Sequence, residues 1–518
     1  LPPAGDTPKR GPSGPSFSLI DLSSHAHPST SPDGRIMTVV HKKVYDLTDF
    51  VAKHPGGDLL YLAGGRDSTV LWETYHPTVT PGSKAAAKMA AVMKKYEVGV
   101  LVESDASPMS PSFYDWNSDF YPTLKKRVCE LLKEKGLDRR GGGGSIHVKA
   151  VCLLLIFWSS LAGMCLTTGY LKPLICCIAM GLSASFIGTC IQHDGSHGAF
   201  SNHLWLNKAA GWTLDMIGAS AFTWEVQHML GHHPYTNLLD VSGFGGTQEG
   251  DGSGDDIESD PDVFSSYPLM RMHPFHEAEW YHKYQHLYAP FLFSFMTLAK
   301  VFTQDIEIIT KMRLYHIDAT CRYGSWLNRL RFWAMKAISM VYMVALPIYF
   351  QGVGKGLLLF AVGHLACGEM LATMFIVNHV IEGVAFAKKN AEGGPTFKPT
   401  TWKGATPMEE TQEKMAEAKV EGFKKIPMND WAAVQCQTSV NWSVGSAFWN
   451  HFSGGLNHQI EHHLFPSICH TNYVHMQGVV KRTCEEYGVP YQAAGSLPDA
   501  YLSMLRHLKN LGNETKSK

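Results

Sequence analysis

The chain divides by hydropathy at residues 141–144, four consecutive glycines that stand directly before its first strongly apolar run and read as a hinge. Behind them, four apolar runs at roughly 148–170, 173–191, 332–350 and 356–378 are long enough to cross a bilayer, which takes about 20 residues. A fifth run, 287–302, is shorter and carries Lys300, so it is expected to lie at the interface rather than to span. The connections at Lys172-Pro173 and 351–355 are very short, which pairs the spans into two hairpins with both tips on one side. Those tips hold only Lys172 and Lys355, whereas Arg139, Arg140, Lys149, Arg322, Arg329, Arg331, Lys388 and Lys389 flank the opposite ends. An excess of basic residues marks the cytosolic side, so those ends are expected to face the cytosol.

Composition changes this picture in three ways. An apolar content of 45% over 518 residues supplies more than one sizeable core and excludes disorder as the main state. The 45 Lys and Arg balance 46 Asp and Glu, so no global field draws in nucleic acid. The 11 cysteines include no CxxC and do not read as a disulfide framework or a cysteine zinc site. Residues 1–34, rich in Pro, Ser and Gly, read as a flexible leader. The loop 241–260 and the charged insert 387–427 read as solvated linkers. The sequons at Asn441 and Asn513 are idle if they face the cytosol.

The 26 histidines are the compositional oddity, because many stand in tight groups that solubility does not require. HDGSH sets His193 and His197 on one helical face as the second span emerges; HMLGHH carries His228, His232 and His233; QIEHH carries Gln459, His462 and His463. With four spans all three groups lie on the same side of the membrane, and counting 287–302 as a fifth would separate the third from the first two. Paired neutral imidazoles suit iron, copper, nickel and zinc alike. His379, at the cytosolic end of the fourth span, is a further candidate ligand. His458 is a weaker one, and the mid-span His364 is expected to pack against a polar neighbour. Trp224, Trp442 and Trp449 read either as an acyl-tunnel lining or as interfacial anchors.

HxxxH, HxxxHH and QxxHH, in this order between membrane spans, resemble the histidine boxes of membrane fatty-acyl desaturases and hydroxylases. That resemblance implies two non-haem irons held by His193, His197, His228, His232, His233, His462 and His463, with His379 resembling an extra ligand position. Gln459, where many desaturases have histidine, is the mark of front-end desaturases; its amide can coordinate or hydrogen-bond. Upstream, VYDLTDFVAKHPGGD and AGGRDSTVLWETYHP resemble the core of cytochrome b5, which implies haem b between His54 and His76. The glycines after His54 would let the chain approach the porphyrin closely.

The fold class implied is a small α+β cytochrome-b5-like domain followed by an all-α integral membrane desaturase domain with four transmembrane helices and a cytosolic diiron cap. The expected divisions are 1–34 leader, 35–102 haem domain, 103–146 linker and hinge, 147–510 desaturase domain and 511–518 tail. Stretches such as TCIQHDGSHGAF, SDPDVFSSYPLMRMHP, MFIVNHVIEG and LNHQIEHHLFPSI look most like delta-4 front-end desaturases, which implies conversion of docosapentaenoate to docosahexaenoate. By the same resemblance O2 is the co-substrate and electrons come from NADH through cytochrome b5 reductase. The substrate is a polyunsaturated acyl chain on phospholipid or coenzyme A, and the membrane is the endoplasmic reticulum. Front-end enzymes of delta-5, delta-6 or delta-8 specificity, a sphingoid-base desaturase and a hydroxylase share the scaffold. A zinc transporter would carry its ligands inside the spans, and a plain haem carrier leaves most of the chain unexplained.

Overall fold

The computed structural model describes residues 15–102, 114–240, 258–315, 317–389, 395–399 and 407–514. At the N-terminal side β1 (Ser16–Phe17), β2 (Met37–Val40), β3 (Lys43–Asp46) and β4 (Glu97–Leu101) form one sheet in the order β1-β4-β3-β2. β1 runs parallel to β4, while β3 pairs antiparallel with both β4 and β2. Two helices, α2 (Thr69–Tyr75) and α3 (Lys84–Lys94), complete this α+β unit. The expected flexible leader is corrected in its described part. β1 joins the sheet, and α1 (Leu19–Ser23), capped by Ser18 and Asp21, buries Leu19 and Leu22 against Met37, Val39 and Val44. Residues 1–14 lie outside the described residues.

Four helices among the described residues are long and apolar enough to cross a membrane: Gly141–Leu166, Leu171–Ser196, Trp326–Gln351 and Val353–Ile376. Large apolar side chains such as Leu155, Ile175, Val341 and Leu358 stay exposed on their outer surfaces. A surface of that kind is stable against lipid and not against water. The 287–302 run is broken into the short helices Gln285–Phe293 and Met296–Ala299, with a π turn after them, and packs beside the fourth span.

The spans approach closely where side chains are smallest. A methyl group built on Gly181 would lie 2.2 Å from the carbonyl oxygen of Gly363, and one on Gly368 2.2 Å from that of Ser294. The expected linker is also corrected in its described part: α4 (Phe120–Glu134) buries Phe120, Leu124 and Val128 against Trp431, Tyr473 and Met476 of the catalytic half. The four glycines do not swing freely either, since Gly142 sits at φ +50° with Thr471 Oγ1 2.5 Å from where its Cβ would be.

Two further readings change. Of 241–260, residues 241–257 lie outside the described residues, but Glu258–Ser259 is a strand paired to Leu238–Asp240, and Asp260 is fully buried. In 387–427, Ala385–Lys389 and Pro395–Pro399 pair as a hairpin that extends the same sheet, and Met408 and Gln412 are buried. The expected tail begins three residues too early for a free end, because the last helix runs Leu497–Asn513 and buries Leu511. Asn441 is buried, and Asn513 ends that helix.

The haem domain is docked rather than merely tethered. Arg66 donates to the Asp318 carbonyl and Arg322 to that of Asp58, both at 2.8 Å, and Ser467 donates to the Thr74 carbonyl at 2.9 Å. Lys125 of α4 pairs with Glu73 of α2 in a buried contact, and Leu62 enters the core formed by Phe222, Val226 and Leu230.

Because the backbone of Gly363 meets Gly181 directly, Gly181→Leu forces the second and fourth spans apart. The expected cost is at least ~1–3 kcal/mol, read as a lowered unfolding midpoint in detergent. A midpoint equal to that of the parent protein would mean that the two spans do not depend on this approach.

Candidate active site and metal centre

The second span does not stop at its apolar end. It widens into a π turn over Gly188–Gln192 and carries on into a short turn, His193–Ser196. The i→i+5 spacing of such a turn rotates the downstream residues relative to a regular helix, a device often found at functional sites. The His197 N–H donates to the His193 carbonyl at 3.1 Å, and the two rings stand 4.8 Å apart. A second π segment, Glu225–His232, carries His228 and His232, with His233 immediately after it. Gln459, His462 and His463 share the short helix Gln459–Leu464. Asn441 clamps that helix, accepting from the Ile460 N–H at 2.9 Å and donating to the Glu461 carboxyl at 2.8 Å. Burial pushes Glu461 up to about 7 despite the hydrogen bonds it accepts from Tyr491 and Asn441.

These elements bring the histidines into two adjoining groups. The ligand atoms of His193, His197, His228 and His462 lie within 4.8 Å of one another, and those of His232, His379 and His463 do the same. His233 stands between, its ring 4.9 Å from that of His197 and 4.7 Å from that of His463. The Gln459 amide reaches His379 Nε2 at 2.9 Å and His463 Nε2 at 3.1 Å, which puts it with the second group.

Most of these rings are held by their other nitrogen. His228 Nδ1 meets Asp262, and His232 Nδ1 meets Asp260 at 2.8 Å. His379 Nδ1 donates to the Thr438 carbonyl at 3.0 Å, and His463 Nδ1 to Gln435 Oε1 at 2.8 Å. His462 Nδ1 meets the Tyr473 hydroxyl at 3.2 Å, and His197 Nδ1 the Tyr75 hydroxyl at 2.7 Å. An outward Nδ1–H leaves the Nε2 lone pair facing the cluster, the tautomer a metal requires. Burial lowers His232 to about 4 and His379 to about 3, and takes His197, His228, His233, His462 and His463 well below the ordinary imidazole range. All are therefore neutral near pH 7, which is the ligating form. Burial pushes the other way on Asp260 and Asp262, up to about 7.

The residues fit a metal. His193 Nδ1 and Nε2, His197 Nε2, His232 Nε2, His233 Nδ1 and His462 Nε2 are buried without a hydrogen-bond partner among the described residues. Each orphaned group of that kind costs about 1–3 kcal/mol, and coordination removes the cost. An all-imidazole donor set suits iron among the transition metals.

Of the other candidates, His458 turns away, hydrogen-bonding Asn450 and Gly445 instead of joining either group. His364 pairs with Thr297 Oγ1 at 3.1 Å, as a mid-span histidine needs. Trp224 stacks on His228 at 4.3 Å and lines the adjacent cavity, whereas Trp442 donates to Asn378 and Trp449 packs on Trp442. Sequence reasoning gave no role to Asp260, Asp262, Gln435, Thr438 or Tyr75. The repeated carboxylates of SDPD are the one signal that pointed to any of them.

In the N-terminal domain His54 and His76 face each other with ring centroids 6.2 Å apart, which leaves room between them for one metal held by a bond of about 2 Å to each. His76 Nδ1 donates to the Trp72 carbonyl at 2.8 Å, which frees Nε2. Gly57 sits at φ +57°, and a Cβ on Gly56 would come within 3.0 Å of the His54 ring, so the turn beside His54 needs both glycines.

Asp262→Asn removes the acceptor that orients His228 while preserving shape, and Asp260→Asn does the same for His232. Each is expected to weaken binding of iron(II) to the stripped protein about 10–100-fold, measured by anaerobic titration. Affinities equal to the parent would show that the carboxylates do not set these rings.

Known proteins resemble this chain in sequence. Residues 168–495 match the fatty acid desaturase family, and residues 18–102 match the cytochrome b5-like heme/steroid binding domain. The chain is 32% identical to an acyl-lipid (8-3)-desaturase of Physcomitrium patens, over 96% of this chain and 91% of that one. It is 29% identical to an acyl-lipid (8-3)-desaturase of Mortierella alpina, over 97% and 98% of the two chains. With a chloroplastic acyl-lipid (7-3)-desaturase of Chlamydomonas reinhardtii it shares 31% identity, over 90% and 79%. With box histidines gathered beside the ends of the second and fourth of four apolar spans and relatives alike over almost its whole length, the chain belongs to the fatty acid desaturase family and is an oxidoreductase fused to a cytochrome b5-like domain.

Proposed function

We propose that the protein is a front-end acyl-lipid desaturase that introduces a cis double bond at carbon 4 of C22 polyunsaturated chains, turning docosapentaenoate into docosahexaenoate. The observation that carries the reading is a cavity of about 670 Å³ with His193, Trp224 and His228 in its wall, continuing between the second and fourth spans past Met180 and Gly363. Its volume falls within the ~300–1,000 Å³ usual for ligand sites. Its mainly apolar lining suits a hydrocarbon tail, and its wall also includes Lys311, Arg313 and Tyr315, polar groups that suit a carboxyl ester or headgroup. Relatives named (8-3)-, (7-3)- and Delta(5)-desaturases support the front-end class. The placement at carbon 4 draws on Gln459 and the motif contexts around the boxes.

In this reading His193, His197, His228 and His462 hold one iron, His232, His379 and His463 the other, with His233 between them and Gln459 beside the second. The bound irons supply, from O2 and two electrons, an oxidant strong enough to take hydrogen from unactivated methylenes, the oxygen leaving as water. The chain's own part is to position and to shield. Asp260, Asp262, Thr438 and Gln435 keep the imidazoles aimed, Trp224 stiffens His228 by stacking, and the apolar cavity excludes water around the reacting carbons. His54 and His76 hold haem b, and electrons reach it from NADH through cytochrome b5 reductase. Basic residues flanking the histidine-bearing ends of the spans support a cytosolic placement of boxes and haem domain, and the endoplasmic reticulum is the membrane proposed.

Two experiments test this. Yeast expressing the chain and fed omega-3 and omega-6 C22 acids already unsaturated at carbon 7 should form new delta-4 bonds, identified by gas chromatography with mass spectrometry. Conversion of C18 or C20 acids alone would overturn carbon 4 and leave desaturation standing; a hydroxylated product would overturn desaturation. For the electron path, His76→Ala should abolish the low-spin haem spectrum of the purified protein together with NADH-driven turnover. An unchanged spectrum would remove the assignment of His76.

A further inference from the structure

Among the described residues, the groups that hold the outward nitrogens of the box histidines and His379 come from the catalytic half of the chain, with one exception. Asp260, Asp262, Gln435, Thr438 and Tyr473 all lie downstream of the first span. The exception is Tyr75, the last residue of α2 in the haem domain, 122 residues before its partner His197. Its hydroxyl lies 2.7 Å from His197 Nδ1, a shorter contact than Tyr473 makes with His462, and its ring lies end-on to the imidazole, centroids 6.2 Å apart with 28° between the planes.

We propose that Tyr75 is a positioning residue of the metal site: its hydroxyl accepts from His197 Nδ1–H and turns Nε2 toward His193, His228 and His462, so that the docked haem domain completes the scaffold of the catalytic centre. This rests on the metal-binding reading of the histidine groups.

Three observations support it. His197 Nε2 is one of the buried nitrogens without a hydrogen-bond partner, so fixing Nδ1 outward leaves a lone pair facing the other three rings. Among the described residues Tyr75 is the one group hydrogen-bonded to a His197 ring nitrogen, so nothing else selects the tautomer. The docking is over-determined around it: Thr74 receives Ser467, Glu73 holds Lys125, and Cys129 donates to the Pro77 carbonyl. Tyr75 is thus held from both sides in sequence, by Thr74 against the catalytic half and by Pro77 against α4. Next to it in the chain is His76, the proposed haem ligand. One peptide link therefore joins the residue that seats the haem to the residue that aims an imidazole at the metal. Undocking the domain would withdraw the Tyr75 hydroxyl and release the His197 tautomer.

The test uses full-length, haem-loaded protein stripped of non-haem metal by a chelator and titrated with cobalt(II), followed by its ligand-field absorption. Tyr75→Phe removes one oxygen and keeps the ring, so packing alone would leave the titration unchanged. It is expected to weaken cobalt binding about 10–100-fold with the haem spectrum intact. Replacing Tyr75 by 3-fluorotyrosine, which keeps the hydroxyl oxygen as an acceptor at the same place, should bind cobalt like the parent. Parent-like binding by Tyr75→Phe would overturn the proposal, as would a fluorotyrosine variant as weak as Tyr75→Phe. His197→Ala separates the two levels of inference. If it binds cobalt like the parent, the metal reading itself fails. If it loses cobalt while Tyr75→Phe does not, only the role of Tyr75 falls.

Discussion

An imidazole buried away from water must keep one nitrogen hydrogen-bonded and leave the other to a metal, or lose the energy of both. Here that requirement recurs at His197, His228, His232, His379, His462 and His463, all of them buried. The surrounding architecture depends on it. Burial keeps the rings neutral, neutrality makes them ligands, and ligands need their tautomers chosen by partners fixed elsewhere. Those partners are backbone carbonyls, amides, hydroxyls and carboxyls drawn from four separate stretches of chain. The catalytic half is therefore cross-linked most heavily where it is most polar, and the spans below it can remain plainly apolar.

The same demand accounts for local irregularities that helix propensity would not produce. Two π segments lie beside box histidines, one just before His193 and one carrying His228 and His232. Asn441 and Glu461 commit buried polar groups to fixing a single helical turn. The strand at Glu258–Ser259 delivers Asp260 and Asp262 to the same place. Each is a local cost that the cluster offsets.

Docking of the haem domain belongs to the same design. A cytochrome b5-like unit on a slack tether would raise the local concentration of the electron donor and nothing more. Instead, its α2 helix and Arg66 are pinned to the catalytic half, while α4, expected to be linker, is a core element beneath the third box. The orientation of donor to acceptor is thus set by the fold. The close approach of the second and fourth spans at Gly181 and Gly363 sits beside the cavity that the acyl chain is proposed to enter, so span packing and tunnel shape are one feature.

Much of this was legible in the residues themselves. Four spans follow from apolar run length, because a bilayer imposes a minimum length that sequence records directly. The grouping within the three boxes follows from local spacing, since residues on one turn share a face whatever the rest of the chain does, whereas the His54 and His76 pair rested on the resemblance to cytochrome b5. Even His379 was marked out by its place at a span end. What the sequence could not contain was the pairing across distance. The sharing of one group by His193 and His462, the Asp260 carboxyl from a stretch read as solvated loop and that of Asp262 just beyond it, the packed leader and linker, and Tyr75 against His197 all join residues far apart in the chain. Such contacts leave no periodicity or spacing behind. They are decided only when buried surfaces choose their partners, because the free energy that selects them belongs to the assembled core and not to any one segment.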